Sequence, residues 1–148
     1  MSRSLYKKMK EVISYLFFGV VTTVINWAVY SIATAICGLS MNISNVLAWI
    51  VAVLAAFVTN KSWVFGSNDW SKKNIFEEFT KFIGARVFTG IIEIAGLPAL
   101  YALGINQSIF GIEGMVAKVI VSIVVIILNY IFSKLIVFKK GIKNENTI

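Results

Sequence analysis

Four long apolar stretches dominate the sequence, and most charged residues are gathered between or beside them. The stretches cover residues 12–36, 46–64, 79–102 and 115–137. Each is close to the 17 to 25 or so residues that an α-helix needs to cross the ~30 Å hydrocarbon core of a bilayer. None of them alternates polar and apolar positions over ten-residue segments, as a barrel strand would. The pattern therefore predicts an all-α integral membrane protein with four transmembrane helices.

The composition agrees with this prediction and narrows the chemistry. Of 148 residues, 58% are hydrophobic and 14% are charged, whereas a soluble domain carries about 25% charged residues. A water-soluble globule is therefore excluded, and the length predicts one domain over residues 1–148. The chain has no His, and its single Cys is Cys37. Neither a disulfide framework nor a zinc or iron–sulfur site can be built from these residues, so we expect no metal and no cofactor.

The net charge of +7 comes from 14 basic residues against 7 acidic ones. Twelve of the basic residues lie in the N-terminal arm, around the second and third stretches, or where the fourth stretch ends. These are Arg3, Lys7, Lys8, Lys10, Lys61, Lys72, Lys73, Lys81, Lys134, Lys139, Lys140 and Lys143. The positive-inside rule then predicts that both termini are cytoplasmic. Because the bilayer explains this charge, we expect no nucleic-acid partner.

The second half of the sequence repeats the first. A shift of 67 residues superposes residues 15–28 on 82–95, and a shift of 73 gives six identities in the 21 positions from Asn45 to Phe65. Both copies end in Lys-x-x-Val-Phe, at Phe65 and at Phe138. The pattern predicts two parallel two-helix repeats, and transporters often place their substrate between such halves. The alternative is a chance likeness between apolar helices.

Arg86, Glu93 and Lys118 lie inside the predicted spans, where insertion scales assign a charge a cost of about 2.5–3.5 kcal/mol. Arg86, Thr89 and Glu93 share one helix face. At 1.5 Å per residue from the inner boundary, Arg86 and Asn129 lie at about 10 and 8 Å, and Glu93 and Lys118 at roughly 21 and 24 Å. We therefore predict an ion pair between Lys118 and Glu93, and a guanidinium beside Asn129 that has no acidic partner.

An unneutralised Arg in a membrane suits a phosphate, because its planar fork donates to two oxygens at once. Arg86, followed by Lys118, is the predicted phosphate site. Small or polar residues predicted to line a sugar path are Thr22, Asn26, Ala56, Asn60, Thr89, Glu93 and Asn129.

Each assignment has a structural alternative. Arg86 and Lys118 can extend toward the headgroups along their flexible stems, and Lys61 and Lys134 are expected to be inner-leaflet anchors. Asn26 and Asn129 can serve only to join helices, and Glu93 can serve only to neutralise a cation.

Several segments together resemble the GtrA-like family of small four-helix membrane proteins, over residues 15–138. They are Tyr15-Leu-Phe-Phe-Gly19 with Thr22 and Asn26, Asn60-Lys-Ser-Trp-Val-Phe65, Lys81-Phe-Ile-Gly-Ala-Arg86 with Glu93, and Asn129 with Lys134 through Phe138. The run Gly-Val-Val-Thr-Thr-Val-Ile-Asn-Trp is most similar to the subgroup associated with teichoic acid glycosylation.

The resemblance implies a flippase of the bacterial cell membrane. Its cargo would be a sugar linked to undecaprenyl phosphate, moved to the outer leaflet for a separate membrane glycosyltransferase that decorates a surface polymer such as wall teichoic acid. By the same analogy, Arg86, Lys118, Asn129 and Ala56 are the first positions to mutate. The first repeat departs from the second by having Gly19 where the second has Arg86.

Catalysis is not expected, because the chain offers no His, no metal cluster and no acid–base pair. Four helices can hardly surround a sugar phosphate, so a homo-oligomer is expected. Two other functions remain open. A small multidrug-type cation exporter also uses four short helices and an intramembrane Glu, and a membrane scaffold for a glycosyltransferase would transport nothing and act through the loop 66–81.

Overall fold

The computed structural model describes residues 2–139, and this part of the chain is helical without a β-strand. Its helices are α1 (Arg3–Ser31), α2 (Met41–Thr59), α3 (Lys72–Ala102) and α4 (Met115–Phe132). Single π-helical turns continue three of them, at Ile32–Ile36 after α1, Asn60–Val64 after α2 and Ser133–Val137 after α4. Lys140 and Lys143, which entered the charge argument above, lie outside the described residues.

Four helices are long and apolar enough to cross a membrane, as the hydrophobic pattern predicts. Helix α2 begins five residues before its apolar stretch, at Met41, and the difference is larger for α1, which begins at Arg3, and for α3, which begins at Lys72. Serine caps explain the difference, because the Ser2 hydroxyl accepts from the Leu5 N–H at 3.3 Å and the Ser71 hydroxyl from the Asn74 N–H at 3.4 Å. The first turns of both helices are polar, so hydropathy alone does not mark them.

The described residues form two compact units, residues 2–69 and 70–139. In unit 1, α1 packs along α2, and in unit 2, α3 packs along α4. Small residues permit close approach in each unit. Ala48 and Ala56 on α2 are buried, and a Cβ placed on Gly96 of α3 would lie 3.2 Å from the Val121 side chain of α4.

The two units share local features at equivalent positions. The N–H of Phe65 donates to the carbonyl of Asn60 at 2.9 Å, and the N–H of Phe138 donates to the carbonyl of Ser133 at 2.9 Å. Each of these phenylalanines also contacts a ring on the first helix of its own unit. The ring centroids of Tyr15 and Phe65 are 6.4 Å apart, and so are those of Phe82 and Phe138. These matches support an internal repeat, while its parallel arrangement and the location of the termini stay predictions.

The close contact at Gly96 generates a stability prediction. Gly96→Leu should lower the free energy of unfolding in detergent by about 1–3 kcal/mol, because the larger side chain overpacks the contact with Val121. Gly84→Leu, on the same helix where an added Cβ meets nothing within 4 Å, should leave it unchanged or raise it. Equal loss in both variants would show that α3 and α4 do not pack closely at Gly96.

Candidate functional site

Arg86 lies on α3, half-buried, with its Cζ 5.0 Å from the centroid of the Phe82 ring. Among residues 2–139, no carboxylate pairs with this guanidinium and no acceptor receives a hydrogen bond from it. Within the described chain, the guanidinium of Arg86 therefore has no acidic partner. The ring is four residues earlier on the same helix, so the side chain is directed toward the start of α3.

Phe82 is fixed in place, being 1% exposed and in contact with the ring of Phe138. A cation–π contact contributes about 0.5–1 kcal/mol at a partly exposed site. However, the face of a ring cannot neutralise the cation or accept the strong hydrogen bonds that an oxyanion accepts. The packing of Phe82 thus positions the guanidinium of Arg86 while leaving its charge and its N–H donors available.

The side chain of Asn129 on α4 bonds to Thr89 of α3, and both residues are buried. The Thr89 Oγ1 lies 2.7 Å from the Asn129 Oδ1, and 3.1 and 3.2 Å from the carbonyl oxygens of Ala85 and Arg86. No hydrogen bond joins the side chains of Asn129 and Arg86 in the described chain. The amide oxygen of Asn129 therefore joins the two helices, which is the structural role left open above.

The second cation of this unit is paired. The Lys118 Nζ on α4 lies 2.6 Å from the Glu93 Oε1 on α3, which confirms the predicted ion pair. The two side chains are 44% and 39% exposed, so neither is sealed inside the helix pair. Seven residues of helix, or about 10 Å, separate Glu93 from Arg86 along α3. Of the two cations predicted to bind phosphate, Lys118 is thus neutralised by a carboxylate and Arg86 is not.

The four remaining candidates belong to unit 1. Thr22 and Asn26 on α1 are half-buried, whereas Ala56 and Asn60 at the end of α2 are buried. The Thr22 hydroxyl donates to the carbonyl of Gly19 at 2.9 Å, so a local backbone group satisfies it. The assembly of these residues and the unit 2 residues around one path stays a prediction.

The repeat is asymmetric in charge. Under the two sequence shifts, Arg86 corresponds to Gly19, Glu93 to Asn26, Lys118 to Asn45 and Asn129 to Ala56. Open space surrounds Gly19, where an added Cβ would meet nothing within 4 Å. The charges of Arg86, Glu93 and Lys118 therefore belong to unit 2, and unit 1 has neutral or small groups at the equivalent positions.

Lys61 corrects one sequence-based expectation. It is 0% exposed, and its Nζ donates to the Ser67 Oγ at 3.0 Å, so it is not a side chain extended to the headgroups. The prediction of an anchor was wrong because position near a span end does not reveal burial. Lys134 is half-buried instead, donating to the Tyr130 hydroxyl at 3.3 Å. Glu78, which the pattern did not single out, is also buried.

Comparison with known proteins places these features in a family. The model of the GtrA/DPMS transmembrane domain matches residues 14–138, which includes all four apolar helices and the residues described above. No solved structure matches the chain.

Curated relatives cover most of the chain. The chain is 35% identical over 130 residues to the cell wall teichoic acid glycosylation protein GtcA of Listeria innocua serovar 6a, covering 87% of this chain and 85% of that protein. It is 33% identical over 133 residues to the protein of the same name in Listeria monocytogenes serovar 1/2a, covering 89% and 87%. It is 32% identical over 126 residues to the membrane protein YwcD of Bacillus subtilis strain 168, covering 85% and 94%.

The bond between Thr89 and Asn129 can be measured by a double-mutant cycle. Thr89→Val and Asn129→Ala should show a coupling free energy of about 0.6–1.7 kcal/mol in detergent unfolding, the range for hydrogen bonds between membrane helices. Thr80→Val combined with Asn129→Ala should be additive, because the Thr80 hydroxyl donates to the carbonyl of Phe76 on its own helix. Additivity in both cycles would refute the link between α3 and α4.

Proposed function

The chain belongs to the GtrA/DPMS transmembrane domain family, and from that premise we propose that it moves a polyprenyl-phosphate-linked monosaccharide across the membrane. It is a multi-pass protein of the bacterial plasma membrane. Relatives in Listeria are named for the glycosylation of wall teichoic acid, and the proposed cargo would supply a membrane glycosyltransferase with activated sugar. The observation that carries the proposal is the guanidinium of Arg86, which no carboxylate neutralises in the described chain.

Arg86 binds the phosphate in the first step of this proposal. An anionic headgroup loses hydration when it leaves the membrane surface, and that loss is tolerable only where a charged partner replaces the water. The guanidinium offers five N–H donors in a planar fork. The contact with the face of the Phe82 ring does not use these donors for hydrogen bonds to oxygen. Arg86 thus offers the phosphate a partner below the membrane surface.

Lys118 receives the phosphate next, and Glu93 limits how tightly it is held. The ammonium is already paired with the Glu93 carboxylate at 2.6 Å, so the phosphate must compete with an internal anion for the same cation. An ammonium without a carboxylate partner at this depth would retain the headgroup. An ammonium for which the Glu93 carboxylate competes with the phosphate can release it. Glu93 therefore acts in the proposal as the group that frees Lys118 again.

Neutral groups complete the path for the sugar. In the proposal, the two units form one domain over residues 1–148, arranged as parallel repeats with cytoplasmic termini. Sugar hydroxyls exchange partners along Thr22, Asn26, Asn60, Thr89 and the amide of Asn129, and small Ala56 leaves clearance. The prenyl chain stays in lipid throughout. A homo-oligomer closes the remaining sides, and no covalent step is involved, so the protein is a carrier and not an enzyme.

A cation exporter of the small multidrug type is less compatible with this arrangement. Such a protein needs an intramembrane carboxylate that is free to bind a cationic drug or a proton. Here the carboxylate of Glu93 is already bound to Lys118, and the cation of Arg86 has no such partner. The charge balance of unit 2 therefore favours an anionic cargo over a cationic one.

Transport can be tested in liposomes that contain a polyprenyl-phosphate sugar, scored by how much becomes accessible from the opposite leaflet. Arg86→Ala should abolish the protein-dependent movement, and Arg86→Lys should retain part of it, because an ammonium keeps the charge but not the fork. Lys81→Ala is the matched control, since it removes a cation that lies on the same helix but is paired with Glu77.

The outcomes separate two failures. If the wild-type protein and Arg86→Ala move the lipid equally, the assignment of Arg86 is wrong. If the wild-type protein moves none, transport itself is wrong.

The role of Glu93 predicts a gain of affinity. Glu93→Gln should bind undecaprenyl phosphate in detergent more tightly than the wild type and should release it more slowly, because Lys118 loses its internal competitor. Replacing Lys118 as well by Gln should cancel the gain. Glu77→Gln, which removes the carboxylate paired with Lys81, should leave the affinity unchanged. Unchanged affinity in Glu93→Gln would reduce Glu93 to a counter-charge.

A further inference from the structure

The segment between α3 and α4, residues 103–114, is apolar and exposed. Leu103 is 78% exposed, Ile112 is 57% exposed and Phe110 is 96% exposed. The only charged residue of the segment is Glu113. Single apolar residues at a surface need no explanation, but several exposed apolar side chains in one short loop, among them a bare phenyl ring, indicate a contact surface.

The backbone of this loop holds Phe110 outward. Ile109 and Ile112 exchange two backbone hydrogen bonds, of 3.3 and 3.0 Å, across a two-residue turn. Both turn residues are left-handed, with φ of 53° at Phe110 and 75° at Gly111, as in the tight type I′ turns of β-hairpins. Glycine adopts this conformation freely, but a bulky side chain there costs about 1–3 kcal/mol. The turn is therefore strained, and packing of the Phe110 ring against the described residues does not offset that strain, since the residue is almost fully exposed.

The base of the loop is tied to the helix ends, and its charge has a partner. The hydroxyl of Tyr101, on the last turn of α3, donates to the carboxylate of Glu113. The Tyr101 ring also packs on Gly114, where an added Cβ would lie 3.3 Å from the ring. A carboxylate that accepts a hydrogen bond needs less water than a bare one. The loop can therefore approach an apolar medium at a lower cost.

We propose that residues 103–114 lie in the headgroup region of the leaflet that this end of unit 2 reaches, with the Phe110 ring inserted among the lipids. The exposed apolar surface of the loop continues that of α3, where Ile94 is 79% exposed and must face lipid or another apolar surface in a membrane. The hydrogen bonds between Ile109 and Ile112 satisfy the N–H and C=O groups of these two residues, which lowers the cost of placing the turn next to an apolar medium. Aromatic rings are enriched at this depth of a bilayer.

A nitroxide at the tip can test the proposal. Since Cys37 is the only cysteine, a Cys37→Ser background accepts one label at a chosen position. Phe110→Cys would be labelled in full-length protein reconstituted in vesicles of phosphatidylethanolamine and phosphatidylglycerol, with Ile112→Cys as a second tip site. Asn106→Cys, an exposed polar position in the same loop, is the matched control.

For each label, the collision rate of the nitroxide with dissolved oxygen is divided by its collision rate with an aqueous nickel chelate. This ratio should be several-fold higher at residues 110 and 112 than at residue 106. Ratios at residues 110 and 112 as low as that of a fully water-exposed label would place the tip in water and overturn the proposal. Shielding from both reagents at the tip would also overturn it, because the ring would then be covered by protein, such as a second copy of this chain.

Discussion

In hydrocarbon, every backbone N–H and C=O needs a partner within the protein, and this constraint shapes the whole chain. The helices are therefore continued to the ends of the apolar stretches. After α1, α2 and α4, a π-helical turn extends the hydrogen bonding, as where the N–H of Cys37 donates to the carbonyl of Ile32 at 3.1 Å. Two of these turns coincide with the Lys-x-x-Val-Phe segments, so both copies of the repeated sequence end in a π-helical turn. A polar side chain within these helices costs free energy in hydrocarbon, so each one indicates a structural or functional role.

The intramembrane charges of unit 2 are compensated to different degrees. Lys118 is paired with a carboxylate, whereas Arg86 rests on the ring of Phe82, which stabilises a cation weakly and does not neutralise it. Lys61 of unit 1 is buried, with the Ser67 hydroxyl among its partners. In the proposed function this difference matters, because no carboxylate of the described residues has to be displaced before an anion binds Arg86.

The duplicated helix pairs divide the chemistry. Matched ring contacts, Tyr15 with Phe65 and Phe82 with Phe138, give both units the same local packing. The charges of Arg86, Glu93 and Lys118, however, have no counterpart at the equivalent positions of unit 1, and Gly19 leaves open space at the position equivalent to Arg86. A duplicated scaffold with one charged half is a simple way to combine an anion site with neutral groups for a polar, uncharged moiety. In the proposed function, the charged groups would bind the phosphate of the cargo and the neutral groups its sugar.

Hydropathy alone determined the number of apolar helices and where most of them end, because the length of an apolar run must match the thickness of the bilayer. Helical periodicity also placed Lys118 level with Glu93, since rise per residue is constant once a span is known. Burial was decided only by tertiary packing. Lys61 and Lys134 occupy equivalent positions in the repeat, yet one is enclosed and the other half-exposed, because enclosure depends on neighbours distant in sequence. For the same reason, only the tertiary structure showed that Asn129 bonds to Thr89 and that Arg86 lies over the ring of Phe82. The contact partner of a side chain depends on its direction and not on its depth alone.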